Sequence, residues 1–133
     1  MEEWDLYDKN KVKTGKVIKH RDSLNQDEFR LVVHICIINS SNQMLIQKRQ
    51  PFKDGWPNMW DVTVGGSVES GETSSDAAER ELFEEIGYKV NLIDVRPKFT
   101  INFKNGFDDF YVVNANLNLN DLKLQKTEVQ KVK

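Results

Sequence analysis

The chain has 133 residues, 38% hydrophobic and 30% charged, enough for one domain with a single core, and no run approaches the ~20 apolar residues of a membrane span. Its 19 basic and 21 acidic residues leave a net charge of −2, without the basic footprint that duplex nucleic acid demands. One cysteine excludes an intramolecular disulfide, and the acidic start "MEEWDLYDKN", with no basic and apolar leader, implies a cytoplasmic protein with neither nucleic acid nor membrane as partner.

In chain order, residues 1–29 mix short β-like runs with turn signals at Lys9-Asn10 and Thr14-Gly15, and read as an N-terminal β-hairpin appendage to a main domain over residues 30–133. "LVVHICII" is a continuous apolar run that places Cys36 as a reduced, packed thiol. After the polar turn "NSSNQ" comes "MLIQKR", an alternating run, so the two read as adjacent strands with the first one buried. "QPFKDGWPNMW" is a loop dense in Pro, Gly and aromatics, and the β-branched "DVTV" leads into Gly65-Gly66. Trp60 is expected in the core, and Trp56, in a Gly-Trp-Pro turn, is the better candidate to contact a ligand.

The next segment, "GGSVESGETSSDAAERELFEEIGY", holds six of the ten glutamates. Thr73 as N-cap with Asp76 three residues on, and Gly87 as a left-handed terminator, predict a helix from Ser74 to about Ile86. Ala78, Leu82 and Ile86 form its apolar stripe, and Glu81, Glu84 and Glu85 share the neighbouring face. Each like-charge pair one turn apart costs about 0.2–0.5 kcal/mol, and carboxylates at the negative end of the helix dipole add to this. Arg80 reaches Glu84 but cannot balance three carboxylates alone, so a divalent cation with a preference for oxygen ligands, Mg²⁺ or Mn²⁺, is the expected compensation.

Beyond the helix, "KVNLIDV" and "KFTINF" read as strand runs, and the turn "KNG" leads into "DDFYVVNANL" as an antiparallel hairpin. "TEVQKVK" reads as the start of a further strand. The lysine clusters "KNKVKTGKVIKH" and "LKLQKTEVQKVK" read as solvated strands and tail. The class is α+β with one helix.

Gly66, Glu72, Arg80, Glu81, Leu82, Glu84, Glu85 and Gly87 match, in register, the motif G-x5-E-x7-R-E-U-x-E-E-x-G-U (U aliphatic) of the Nudix hydrolase family, which the chain therefore resembles. Tyr88 departs from the final aliphatic position. The resemblance implies a mixed β-sheet in an α/β/α sandwich and Mg²⁺-dependent hydrolysis of a small-molecule diphosphate, X-P-P-Y, to X-P and P-Y. It implies metal ligation by Glu81, Glu84 and Glu85 with Glu72 beside them, close approach of the Gly66 backbone to the metal, and Arg80 orienting the glutamates. The family's C-terminal helix would lie beyond Lys133, so the domain reads as truncated, with one sheet face covered by self-association as a homo-oligomer or by the N-terminal segment.

The resemblance leaves the general base open between Glu128, in a late loop, and Glu81. Arg49 or Lys48 at a strand end is expected to hold substrate phosphate, and Trp56 to stack on a substrate group; Phe107, Asp108 and Asp109 are candidates for the leaving group. "LIQKRQPFKDGWPNMW" also resembles isopentenyl diphosphate isomerases of the same fold. Where those carry a cysteine and two histidines this chain has Gly65, Ser67 and Arg30, which leaves isomerisation without a proton donor. A nucleoside-diphosphate-type substrate is expected; an isomerase relative and a non-catalytic ligand-binding module are the alternatives.

Overall fold

The computed structural model describes residues 2–20 and 22–133. Its spine is β3 (Arg30–Ile38), formed by the continuous apolar run. β9 (Gly106–Asn114) runs parallel to it along its full length, and β8 (Phe99–Phe103) adds antiparallel to β9. The other edge of β3 is shared by β7 (Val64–Ser67) and β4 (Met44–Leu45), both antiparallel. The sheet is therefore mixed, as expected.

Leu31, Val33, Ile35 and Ile37 point to one face of β3 and pack against Ala77, Ala78, Leu82 and Ile86 of the helix α1 (Ser74–Ile86). The alternate residues Arg30, Val32 and His34 are half-buried on the other face. Cys36 is buried and unpaired, and burial pushes its thiol above its ordinary value. Among the described residues α1 is the only α-helix, and none is long and apolar enough to cross a membrane.

Two sequence expectations need correction. Residues 44–49 are not one strand: the chain leaves the main sheet at Ile46, whose backbone exchanges hydrogen bonds with Lys133 (2.9 and 3.0 Å), and continues as β5 (Gln47–Arg49). There it pairs with β10 (Val129–Val132) and β6 (Trp60–Asp61) in a second, three-stranded sheet. Thr63 makes the switch possible. Its buried hydroxyl donates to Leu45 O and accepts from Ile37 N (2.9 Å), replacing ladder bonds by side-chain bonds where "DVTV" bends between β6 and β7.

The second correction concerns residues 89–95, which form turns rather than a strand. The Asn91 side chain accepts from Ile93 N (2.9 Å), Asp94 is left-handed (φ 63°), and only Leu92 is buried. Local side-chain bonding won over β-propensity in a segment that pairs with no strand.

Upstream, β1 (Glu3–Tyr7) and β2 (Lys13–Lys19) form an antiparallel hairpin with Trp4, Leu6 and Tyr7 buried. Tyr7 and Phe29 exchange backbone bonds of 2.8 and 3.0 Å. From the hairpin turn, Lys11 reaches the almost fully buried Asp109 carboxylate (2.7 and 2.9 Å), which also accepts from Thr100 (2.6 Å). Removing the ammonium leaves that carboxylate short of partners. Lys11→Ala is expected to lower stability by about 1–3 kcal/mol, seen as a shifted urea midpoint with an unchanged slope.

Candidate active site

The loop and helix after β7 concentrate the charge. Thr73 and Asp76 close a reciprocal capping box (3.1 and 3.0 Å), and Gly87 ends α1 at φ 73°, so the helix keeps the boundaries its sequence predicts. With Leu82 facing the core, the rotation of the helix carries Glu81 and Glu85 into the seam between α1 and the sheet, at 9% and 4% exposure, and leaves Glu84 outside. The seam is open to them because Gly66 has no side chain: a Cβ there would collide with the Glu81 carboxylate.

Arg80 is the hub. It donates to both oxygens of Glu72 (2.8 and 3.0 Å), to Glu81 (2.8 Å), to Glu84 (3.2 Å) and to the Ser67 carbonyl (3.0 Å), and pairs with Glu69 at 3.1 Å. Burial opposes its charge, but Glu72 and Glu81 outweigh that and hold the guanidinium above its ordinary value. Glu69 escaped the sequence reading, which looked only along the helix face.

Glu85 has no such cation among the described residues. It accepts from Gln47 Nε2 (2.9 Å) and hydrogen-bonds the Glu81 carboxyl. Burial raises both groups, and Glu81 pushes Glu85 well above the ordinary carboxylate range. Gln47 Oε1 beside them is buried without a partner.

This donor set fits a divalent cation. Four glutamates within one loop and helix, a glycine backbone against one of them and an orphaned amide oxygen together supply hard oxygen ligands with one guanidinium to offset them. Among the described residues no three carboxylates converge as a preformed cage, because Arg80 draws Glu72, Glu81 and Glu84 to itself.

A cleft of about 690 Å³ opens beside Gly66, lined by Arg49, Lys53, Trp56, Trp60 and Glu128 among others. Arg49 also donates to Gly55 O (2.9 Å), Lys53 pairs with Glu128 at 2.5 Å, and Trp56 is 75% exposed. Lys48 does not line it. Trp60 is not in the core as expected: it sits on an edge strand, 37% exposed, with the Lys133 ammonium 4.4 Å from its ring centroid. A second hollow of about 450 Å³, with Ile37, Leu45 and Leu117 in its wall, touches neither Gly66 nor Glu128, both of which line the cleft.

The cleft floor holds His34, which sequence reasoning missed, beside Arg30 and Asp108. His34 Nδ1 lies 2.7 Å from Asp108, its ring stacks on Phe110, and it fills the space a side chain at Gly65 would need. Its signal was alternation: His34 stands on the strand face opposite Val33 and Ile35. Arg30 bonds Ser67 Oγ (3.3 Å) and lies over the Trp4 and Phe103 rings. Asp108 lines the cleft; Asp109 is committed to Lys11.

Residues 28–133 match the NUDIX domain. The chain is 49% identical over 129 residues to an uncharacterized Nudix hydrolase of Listeria monocytogenes, across 97% of this chain and 76% of that one. A crystal structure of a Deinococcus radiodurans protein superposes with a TM-score of 0.80 at 27% identity, over 99% of this chain and 82% of the other. An isopentenyl-diphosphate Delta-isomerase of Photorhabdus laumondii is 33% identical over 104 residues, 78% of this chain and 57% of the isomerase.

Proposed function

The chain belongs to the Nudix hydrolase family, whose members hydrolyse a diphosphate linkage, and from that premise we propose that it is a Mg²⁺-dependent hydrolase, with Mn²⁺ able to substitute, of a nucleoside-diphosphate-type compound. The observation that carries this reading is the complete glutamate set of the loop and α1, with Glu81 packed against Gly66 and Gly66 lining a cleft walled by Trp56 and Trp60. Water adds to one phosphorus, the bridging P–O bond breaks, and X-P and P-Y leave.

A bound divalent cation would neutralise phosphate oxygens and lower the pKa of the attacking water. Glu81, Glu84 and Glu85, with Glu72 and the Gly66 backbone, would hold it. Arg80 keeps Glu72, Glu81 and Glu84 gathered on one side of the helix. Glu128 lines the cleft and has a single ion-pair partner, Lys53, whereas Glu81 is held by both Arg80 and Glu85, which favours Glu128 to accept the water's proton. Arg49 and Trp56 both line the cleft, which supports Arg49 as the partner of a phosphate oxygen and Trp56 as the stacking partner of a base or other flat group. Isomerisation is disfavoured, since Gly65, Ser67 and Arg30 stand where isomerases carry their cysteine and histidines.

The deciding measurement is phosphate release from a panel of nucleoside di- and triphosphates, nucleotide sugars, dinucleotides and prenyl diphosphates, with Mg²⁺ or Mn²⁺ and a Glu85→Gln control. Turnover of a nucleotide, absent in the control, is expected. Conversion of isopentenyl diphosphate to its allylic isomer, or no turnover by a folded, metal-binding protein, would overturn the proposal.

A further inference from the structure

The hairpin β1–β2 lies outside the residues matched to the NUDIX domain, yet it grips the loop that carries Glu72. Four bonds cross between them. Glu3 O accepts from Ser70 N (2.8 Å), Asp5 Oδ1 accepts from Ser70 Oγ (3.0 Å), and Asp5 Oδ2 accepts from Gly71 N (2.9 Å). Lys13 Nζ pairs with Asp5 Oδ2 (3.0 Å) and donates to Glu72 O (3.2 Å).

The position these bonds enforce is specific. Gly71 is left-handed (φ 88°), and the loop closes on itself through Glu72 N to Glu69 O (3.0 Å) and Glu69 N to Glu72 Oε1 (2.8 Å). That closure presents Glu72 and Glu69 to Arg80 together. A loop of small, polar residues has little packing of its own to hold such a turn. Asp5, with a side chain only 14% exposed, supplies the missing anchor by taking one bond from each of two successive residues.

We propose that Asp5 is a positioning residue for the metal-binding loop, and that the hairpin outside the matched domain thereby helps set the affinity of the glutamates for a divalent cation. This rests on the reading that Glu72 and its helical partners take such a cation. Holding the loop in one shape before the cation arrives removes an ordering cost from binding, and loss of a partner that orients metal ligands lowers affinity by about 10–100-fold.

The test is Mn²⁺ binding to the full chain, read as loss of the free-ion electron paramagnetic resonance signal, with thermal unfolding in parallel. Asp5→Ala is expected to weaken binding about 10-fold or more. Asp5→Asn, which keeps an acceptor for Gly71 but not the charge facing Lys13, falls between it and the wild type. Ser70→Ala removes one bond without touching the hairpin, and weakens binding by about 2–5-fold even if Asp5→Ala does not fold.

Lys11→Ala is the control, because it loosens the same hairpin at Asp109, away from the loop. It should lower the melting temperature and leave Mn²⁺ affinity within about twofold of wild type. Folded Asp5→Ala and Ser70→Ala variants that bind like wild type would overturn the inference alone. Equal weakening by Lys11→Ala would also overturn it, reducing Asp5 to general docking. A wild-type chain that binds no Mn²⁺ would overturn the metal reading and this inference together.

Discussion

Glu85→Gln is expected to reduce phosphate release from the best substrate by about 10²–10³-fold or more, with circular dichroism unchanged. Glu85 is the most buried of the helix glutamates, held by Gln47 and Glu81 and by no cation among the described residues. Its charge is therefore the one that folding alone leaves without compensation. An amide of the same shape keeps the packing and removes the negative oxygen that a divalent cation would need. Glu84→Gln should do less, since Glu84 is exposed and already shares Arg80 with three other carboxylates. A Glu85→Gln variant retaining more than about a tenth of the wild-type rate would remove Glu85 from the ligand set.

The same substitution should stabilise the protein in EDTA, by about 1–3 kcal/mol, or roughly 3–10 °C in melting temperature. Burial raises both Glu81 and Glu85 above the ordinary carboxylate range, and Glu81 raises Glu85 further, so the folded chain binds a proton more tightly there than the unfolded chain does. Their contribution is full below about pH 4.5 and is lost as pH rises through the raised folded values. Wild-type protein in EDTA should accordingly lose stability from mildly acidic to alkaline pH. Glu85→Gln should flatten that slope, since its amide carries no charge and offers a donor to the orphaned Gln47 Oε1. Mg²⁺ should reverse the order, adding about 2.7 kcal/mol to wild type at a hundredfold excess over Kd and nothing to the variant. Equal melting temperatures in EDTA across pH would show that the pair is not under electrostatic strain.

The helix was legible because its signals are local: Thr73, Asp76 and Gly87 act on their own turns, and the 100° period puts Leu82 inside and Glu81 beside it. The motif's spacing likewise located the glutamates. What could not be read depended on distant partners. The break at Ile46 needs Lys133 and Thr63, the rim position of Trp60 follows from β6 being an edge, and His34 looked like one more residue of an apolar strand until Asp108 arrived on a neighbouring strand. The hairpin was visible as a hairpin, but its grip on Ser70 and Gly71 joins residues some 65 positions apart. Residues 89–95 show the converse error, where β-propensity was present but the Asn91 side chain and the left-handed Asp94 turn the chain instead.

β7 carries two glycines in succession, and because neighbouring residues of a strand face opposite ways, Gly65 lies under His34 and Gly66 under Glu81. The wall between the substrate floor and the glutamates is thus a single backbone thick, and each glycine answers to a different neighbour. Changes that reshape the floor around His34, Asp108 and Trp56 can accumulate on one side while the carboxylates on the other stay fixed. Such an arrangement lets a lineage exchange leaving groups without having to reinvent its chemistry, and it gives an engineer a boundary across which libraries need not be coupled.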